Sequence, residues 1–333
     1  MSAARPLGRS TTRRGLLAAA GSAALLATAG CGLLGGSRVS GANDKVEQAT
    51  IRVGTLPTTE YAPLALAVRR GYFQHEGLDV QIIPATDGSA ALSSLIGGDY
   101  DVALSSYVPL LAAHARGAAD LRIVADSGAA APGTAVVVVP ADSPVRDPAE
   151  LAGKVIGVSA IGTVSELLVK AGLSTRGVAG RDVRLVPMSF PNMPAALAQG
   201  RLDAALLTEP FITVATREGS ARTLFDAAVG PAERLPLSGY GATARFVRDN
   251  PRTLAAFQRG LTRATLESRD RRVVEPLLPE IARISPEVAA ETKLVDFHTV
   301  PDGAQVQRVA DLMHRFGFLD RPLDAGTMIA AHP

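Results

Sequence analysis

The chain has 333 residues, a formal net charge of +2, 47% hydrophobic residues and 20% charged residues, the profile of an ordinary folded soluble protein long enough for two lobes. Basic residues are almost all arginine, with lysine only at 45, 154, 170 and 293; they form no stripe interleaved with aromatics, which argues against nucleic acid as a partner. The single cysteine, Cys31, excludes an internal disulfide and any cysteine-based metal cluster, so the fold must rest on its apolar core.

At the N-terminus Arg13 and Arg14 precede a small and apolar run, LLAAAGSAALLATAG, which ends directly at Cys31. Basic residues, an apolar centre and small residues before a cleavage point describe an export signal over residues 1–30, too short and too rich in Ala and Gly for a membrane span. Ala29 and Gly30 resemble a bacterial lipobox, in which the following cysteine is lipidated and becomes the first residue of the mature chain; Thr28 departs from the usual leucine. The segment TTRRGLL resembles a twin-arginine export motif. A free thiol behind a plain signal, and a generic basic segment, are the alternatives. Residues 31–49, polar and Gly-rich with no apolar period after GLL, then read as a lipidated cysteine followed by a flexible tether.

From Thr50 strands alternate with helices: IRVGTL, a helix over 62–70, DVQIIP, a helix over 89–96, DVALS, a helix over 109–116, and LRIVA. This spacing predicts parallel strands joined by right-handed crossovers. TAVVVVP, ending at Pro140, is an apolar β-branched strand long enough to leave one lobe and enter the other. The pattern then replays from Val155 to about Leu224. DVRLVPM at Asp182 repeats DVQIIPA at Asp79 with an offset of 103, an offset that also carries Gly54 onto Gly157 and Leu64 onto Leu167, while DAALLTE at Asp203 repeats DVALSSY at Asp101 with an offset of 102. A unit repeated in order with a one-residue slip means two similar lobes.

SGYGATA, starting at Ser238, is the natural return crossing, and the remainder is helical. Asn250 with Pro251, Ser285 with Pro286, and Asp302 mark helix starts where a capping side chain precedes the first turn, and Gly317 ends the last helix. The expected architecture is α/β with two lobes, each a mainly parallel sheet flanked by helices, with a ligand cleft between them. Lobe I comprises 50–135 plus 238–333, and lobe II comprises 136–237.

Ligands of open α/β sheets bind beyond the carboxyl ends of the strands, where helix N-termini point N–H groups outward. Those loops are TLPTTEY, ATDGS and SSY in the first lobe and SAIGTVSE, MSFPNM and TEPF in the second. They contribute Thr55, Pro57, Thr58, Tyr61, Ser105, Ser106 and Tyr107, then Ser159, Gly162, Thr163, Phe190, Asn192, Glu209 and Phe211, as candidate ligand-binding residues, joined by Tyr240 on the return crossing. Thr163 and Glu166 fit a capping box; the same turn can instead offer free N–H groups to an electron-rich part of a ligand. The aromatics among these loops suit an apolar-walled pocket or plain core packing. Glu209 takes the place of Tyr107 in the repeat, so it is expected at the cleft mouth, either as a solvated rim carboxylate or as the acceptor for a donor or cation, since none of the six loops holds Arg, Lys or His. The five histidines have no ligand spacing, and nucleophile elbows, phosphate loops and dinucleotide fingerprints are absent. No catalysis, metal or cofactor is indicated.

With these residues in view, the chain resembles the periplasmic-type solute-binding proteins of ABC importers, in the branch for nitrate, sulfonates, taurine and thiamine-pyrimidine precursors. The resemblance runs from about Ile51 to Phe318 and is carried by RRGYFQHEGLDVQII, the pair GGDYDVAL and QGRLDAALLTEPF, and DPAELAGKVIGV. It implies the type II periplasmic-binding-protein fold, a monomer closing on a small-molecule solute, and delivery to permease and ATPase subunits from the extracytoplasmic face of the membrane. Three readings stay open: a transport protein, a same-fold enzyme resembling the thiamine-pyrimidine synthases or menaquinone-pathway enzymes, and a sensory binding protein. The synthases depend on a Cys-rich segment that this sequence lacks. The ligand itself, whether sulfonate, taurine-like, aminopyrimidine or riboflavin-like, is not named by the residues.

Overall fold

The computed structural model describes residues 45–333; the expected signal, Cys31, and the tether as far as residue 44 lie outside the described residues. In chain order the first half of the repeat forms β1 (Thr50–Thr55), α1 (Ala62–Arg69), α2 (Tyr72–His75), β2 (Asp79–Pro84), α3 (Gly88–Gly97), β3 (Val102–Ser106), α4 (Tyr107–Ala115) and β4 (Leu121–Ala129). After β5 (Ala135–Pro140), the second half forms β6 (Val155–Val158), α5 (Val164–Ser174), β7 (Arg184–Pro187), α6 (Met193–Ala198), β8 (Ala204–Thr208), α7 (Phe211–Arg217) and β9 (Ala221–Asp226). The chain continues through β10 (Pro236–Thr243), α8 (Ala244–Asp249) and α9 (Pro251–Glu267). It closes with α10 (Arg271–Val274), α11 (Leu278–Ala282), α12 (Pro286–Glu291), β11 (Asp296–Phe297) and α13 (Gly303–Arg315).

Two sheets result, a six-stranded one in the order β11-β4-β10-β3-β1-β2 and a five-stranded one in the order β7-β6-β8-β5-β9. In the first, β2, β1 and β3 run parallel and β10 lies antiparallel between β3 and β4. In the second, β7, β6 and β8 run parallel and β5 lies antiparallel between β8 and β9. Each crossing strand therefore fills the same slot in the opposite sheet, and each sheet is parallel apart from its inserted strand and, in the first, the short edge strand β11.

The internal repeat extends to the register of the strands. Gly54 pairs with Ile83 and Ala103, and its counterpart Gly157 pairs with the counterparts Val186 and Ala205. A methyl group at Gly54 would run into the Tyr100 ring, and one at Gly157 into Leu202; these two occluding residues are themselves related by the repeat. The duplicated aspartates also do the same task. Asp101 accepts the Arg52 N–H at 2.8 Å and Asp203 accepts the Val155 N–H at 2.8 Å, each satisfying a donor of β1 or β6 just before that strand's pairing with β3 or β8 begins.

Packing holds these frames in place. The β-branched run of β5 is buried at Val136–Val139, and on the first sheet Phe73 stacks on Phe257 at 5.5 Å while Tyr240 meets Phe257 edge-on at 5.8 Å. Each such fully buried aliphatic or aromatic side chain contributes about 1.5–3 kcal/mol. Of the expected helix starts, Ser285 accepts the Val288 N–H and Asp302 accepts the N–H groups of Ala304 and Gln305. Asn250 does not cap α9; its side-chain amide donates to the Phe246 carbonyl. Glu47, in the stretch read as tether, caps α9 instead by accepting the N–H groups of Arg252 and Thr253. Burial pushes the Glu47 carboxyl up, but the bonds from Thr253 and Arg252 outweigh it and hold it at about 2. The tether thus ends before Val46, because a carboxylate at a helix N-terminus gains both hydrogen bonds and the favourable end of the helix dipole.

Candidate functional site

The loops at the carboxyl ends of the strands converge on a narrow inner cavity of 50 Å³ lined from one sheet by Leu56, Thr58, Glu60, Gly88, Leu104 and Ser106 and from the other by Ser159, Thr163, Val164, Ser165, Phe190 and Thr208. Ser238, the third residue of β10, completes the wall. An outer groove of 650 Å³ adjoins it, with Leu56 lining both. Thr55, Pro57, Tyr61 and Phe211 line this groove. Phe190 and Phe211 stack at 5.8 Å, so one aromatic pair forms a wall common to the two spaces.

Glu60 is the chemically decisive residue of the inner cavity. It is 7% exposed, and its carboxyl accepts from the Thr59 hydroxyl at 3.4 Å. Burial pushes the carboxyl up from its ordinary range, opposed only by its own N–H and the hydroxyls of Thr58 and Thr59. Among the described residues no basic group acts on it. Two hydroxyls of the cavity lining, Thr208 Oγ1 from the second sheet and Ser238 Oγ from β10, are buried without a hydrogen-bond partner among the described residues, and a buried polar atom left in that state costs about 1–3 kcal/mol. The cavity therefore has one acid and two hydroxyls with unused hydrogen-bonding capacity.

The opposite wall is the start of α5. Glu166 reaches back to the Gly162 N–H at 2.7 Å and pairs with Lys170 at 2.6 Å, one residue further than a capping box requires. Thr163 does not cap the helix; its hydroxyl donates to the Ala160 carbonyl at 2.8 Å and lies 3.3 Å from the Ser159 hydroxyl. The Ser159 N–H donates to Ser165 Oγ at 2.8 Å, and the Val164 N–H reaches Ser106 Oγ at 3.4 Å across the cleft. The positive end of the α5 dipole thus faces the cavity without a capping side chain at Thr163.

Several candidates serve the site from behind. Ser105 is buried and donates to the Gly88 carbonyl at 3.0 Å. Tyr107 is fully buried and donates to Asp126 at 2.9 Å. Tyr240 is buried with its hydroxyl unpartnered; burial raises its phenol strongly, with further pressure from Tyr61 and Glu60. Gly162 is occupied by Glu166, and the Asn192 amide donates to the Ser189 hydroxyl at 2.9 Å outside both spaces.

Glu209 does not stand at the mouth as the repeat suggests. It is 2% exposed, and its oxygens accept from the Thr213 N–H at 3.2 Å, the Thr213 hydroxyl at 3.0 Å and the Lys293 N–H at 3.2 Å. Burial nevertheless pushes its carboxyl up. The cause of the difference is long-range: residue 293 follows α12, which packs against α7, and no local pattern places that N–H. Conversely Glu60, Gly88, Ser165, Thr208 and Ser238 join the site without having been singled out. For Glu60 a signal exists, as it is the one carboxylate in TLPTTEY. Among the described residues no group of three or more His, Cys, Asp or Glu converges as metal ligation requires.

A profile of the NMT1/THI5-like family matches residues 58–270, a span that includes every residue named in the cavity lining except Leu56. The chain belongs to the NMT1/THI5-like family. Within it the chain is 25% identical over 232 residues to the 4-amino-5-hydroxymethyl-2-methylpyrimidine phosphate synthase THI13 of Saccharomyces cerevisiae, the match covering 66% of each chain and so just under two thirds of that relative's length. It is 26% identical over 166 residues to a formylaminopyrimidine-binding protein of Halalkalibacterium halodurans, covering 50% of this chain and 49% of the relative. Among solved structures, it resembles the alkanesulfonate-binding protein SsuA of Xanthomonas axonopodis pv. citri bound to MOPS, with a TM-score of 0.73, 25% identity and coverage of 85% of this chain and 99% of that one. The NMT1/THI5-like chain therefore has the two-lobed fold of ABC-importer solute-binding proteins.

Proposed function

We propose that this protein is a lipid-anchored, extracytoplasmic solute-binding protein that captures a small organic solute and delivers it to the permease and ATPase of an ABC importer. The solute presents N–H donors to Glu60 and an electron-rich edge to the N-terminus of α5, as an aminopyrimidine of the thiamine-precursor class does. The observation that carries this reading is the buried Glu60 carboxyl, which lines a narrow cavity with no basic partner among the described residues and shares that lining with the spare hydroxyls of Thr208 and Ser238. A bare anion would meet repulsion there, whereas a donor pairs with the acid and removes its desolvation cost. The pyrimidine in the names of both relatives agrees with this chemistry.

Thermal unfolding of the purified protein against aminopyrimidines, taurine, simple alkanesulfonates, nitrate and riboflavin tests it. A ligand at a hundred times its dissociation constant stabilises by about 2.7 kcal/mol, enough to raise the melting temperature by several degrees. Preference for nitrate or a plain sulfonate over every donor-bearing compound would refute the assignment. A same-fold enzyme is the second reading, favoured by the synthase names of the yeast relatives. Mass spectrometry of the solute recovered after incubation separates the two, since a binding protein returns it unchanged. Loss of solute uptake on deleting the gene distinguishes transport from sensing.

A further inference from the structure

The inner cavity accounts for only a compact head of a solute, and the adjoining groove is large enough for much more. Its 650 Å³ falls in the range of about 300–1,000 Å³ typical of sites for organic ligands. The groove adjoins the inner cavity at Leu56, which lines both. Its walls are apolar and come from both halves of the repeat, with Tyr61, Ile82 and Pro84 on one side and Pro191, Phe211 and Val214 on the other. Its outer edge is the stretch 280–284, where α11 ends.

That edge carries a cation in an unusual backbone position. Arg283 terminates α11 at φ 55 and ψ 47, the left-handed region where helices commonly place glycine because an L side chain is strained there. The guanidinium of Arg283 forms no hydrogen bond or ion pair among the described residues, while Glu280, an acid that lines the same groove, pairs with Arg69 at 3.9 Å. The rim of an apolar groove is thus left with an unpaired positive charge on a residue whose backbone would favour glycine.

We infer that the outer groove is a second subsite, holding an apolar body of the same solute that ends in an anionic group read by Arg283. The full ligand is bipartite: a donor-bearing head at Glu60, an apolar middle between the prolines and aromatics, and a carboxylate, sulfonate or phosphate at the rim. This rests on the functional reading above for the head. The occupant is the solute's own extension because the groove adjoins the inner cavity at Leu56 and the unpaired charge of Arg283 complements an anion.

Calorimetric titration of the protein with three probes tests it: 4-amino-5-(formamidomethyl)-2-methylpyrimidine, the corresponding hexanamide, and the adipic half-amide with its terminal carboxylate. The hexanamide should bind at least about tenfold tighter than the formamide through apolar burial. The carboxylate should add about threefold, the size of an exposed ion pair, and that gain should vanish at about 1 M salt. Arg283→Gly removes only the carboxylate gain, and its melting temperature should hold or rise because glycine suits the left-handed position. Val214→Trp fills the groove and should abolish the gain from the chain while the formamide still binds. If the formamide binds but neither extension tightens it, the second subsite is refuted and the head assignment stands. If the carboxylate gain survives in Arg283→Gly, Arg283 is not the reader. If no probe binds, the head assignment and the subsite built on it both fall.

Discussion

Replacing Glu60 with Gln keeps the shape of the inner cavity and removes its charge, so it separates the two consequences of burying an acid there. In the ligand-free protein, burial raises the Glu60 carboxyl above its ordinary 4.5, so the folded state holds the proton more tightly than the unfolded chain. The site's contribution to stability is then complete below 4.5 and declines as pH rises from there through the raised folded value. Glu60→Gln lacks that decline, and its melting temperature should exceed the wild type's by a margin that opens above pH 4.5 and then levels. With ligand the order reverses. A charge-assisted hydrogen bond contributes about 1.5–3 kcal/mol, so Glu60→Gln should bind the best aminopyrimidine about 10- to 150-fold more weakly. Melting curves between about pH 4 and 8, with and without that ligand, together with one calorimetric titration at neutral pH, read both effects. Unchanged or tighter binding in the Gln variant would show that the carboxyl does not receive the solute, and a margin independent of pH would show that the acid is not held away from water.

The repeated glycines make a stability test that ligand does not enter: Gly54→Ala and Gly157→Ala should each cost about 1–3 kcal/mol through forced contact with Tyr100 and Leu202, and their effects should add in denaturant titrations because they lie in separate sheets. Glu209→Ala strips acceptors from Thr213 and the Lys293 N–H and should lower stability by about 1–3 kcal/mol, with aminopyrimidine affinity at saturation of folding unchanged; a tenfold loss of affinity without loss of stability would return Glu209 to the ligand. Full-length protein expressed in a bacterium should partition into detergent and Cys31→Ala should not, since stable anchoring needs two or more acyl chains; equal aqueous partitioning of both forms would refute the anchor.

The two-lobed α/β architecture was legible in the residues because a duplicated strand-helix unit is a local pattern written twice. Apolar strand phrases, their bounding prolines and glycines, and the spacing of the helices are all short-range properties, and the same offsets that relate DVQIIP to DVRLVP also relate the strand registers. Which loops line the cavity and the groove was equally legible, since they follow from the carboxyl ends of parallel strands. Thr58, Ser106, Ser159, Thr163 and Phe190 line the inner cavity, and Thr55, Pro57, Tyr61 and Phe211 the groove beside it.

Which acid faces the cavity was decided only in three dimensions. Glu60 and Glu209 each follow a first or third strand in a loop at the cleft, and nothing in their neighbours along the chain distinguishes them. Glu209 meets the Lys293 N–H, contributed by a segment 84 residues away in sequence, while Glu60 finds only its own threonines. The capping of α9 was decided in the same way, by Glu47 from 205 residues away instead of the adjacent Asn250. A sequence specifies which backbone groups and carboxylates need partners; where several partners satisfy the same local need, long-range packing selects among them, and that selection sets the charge pattern of the site.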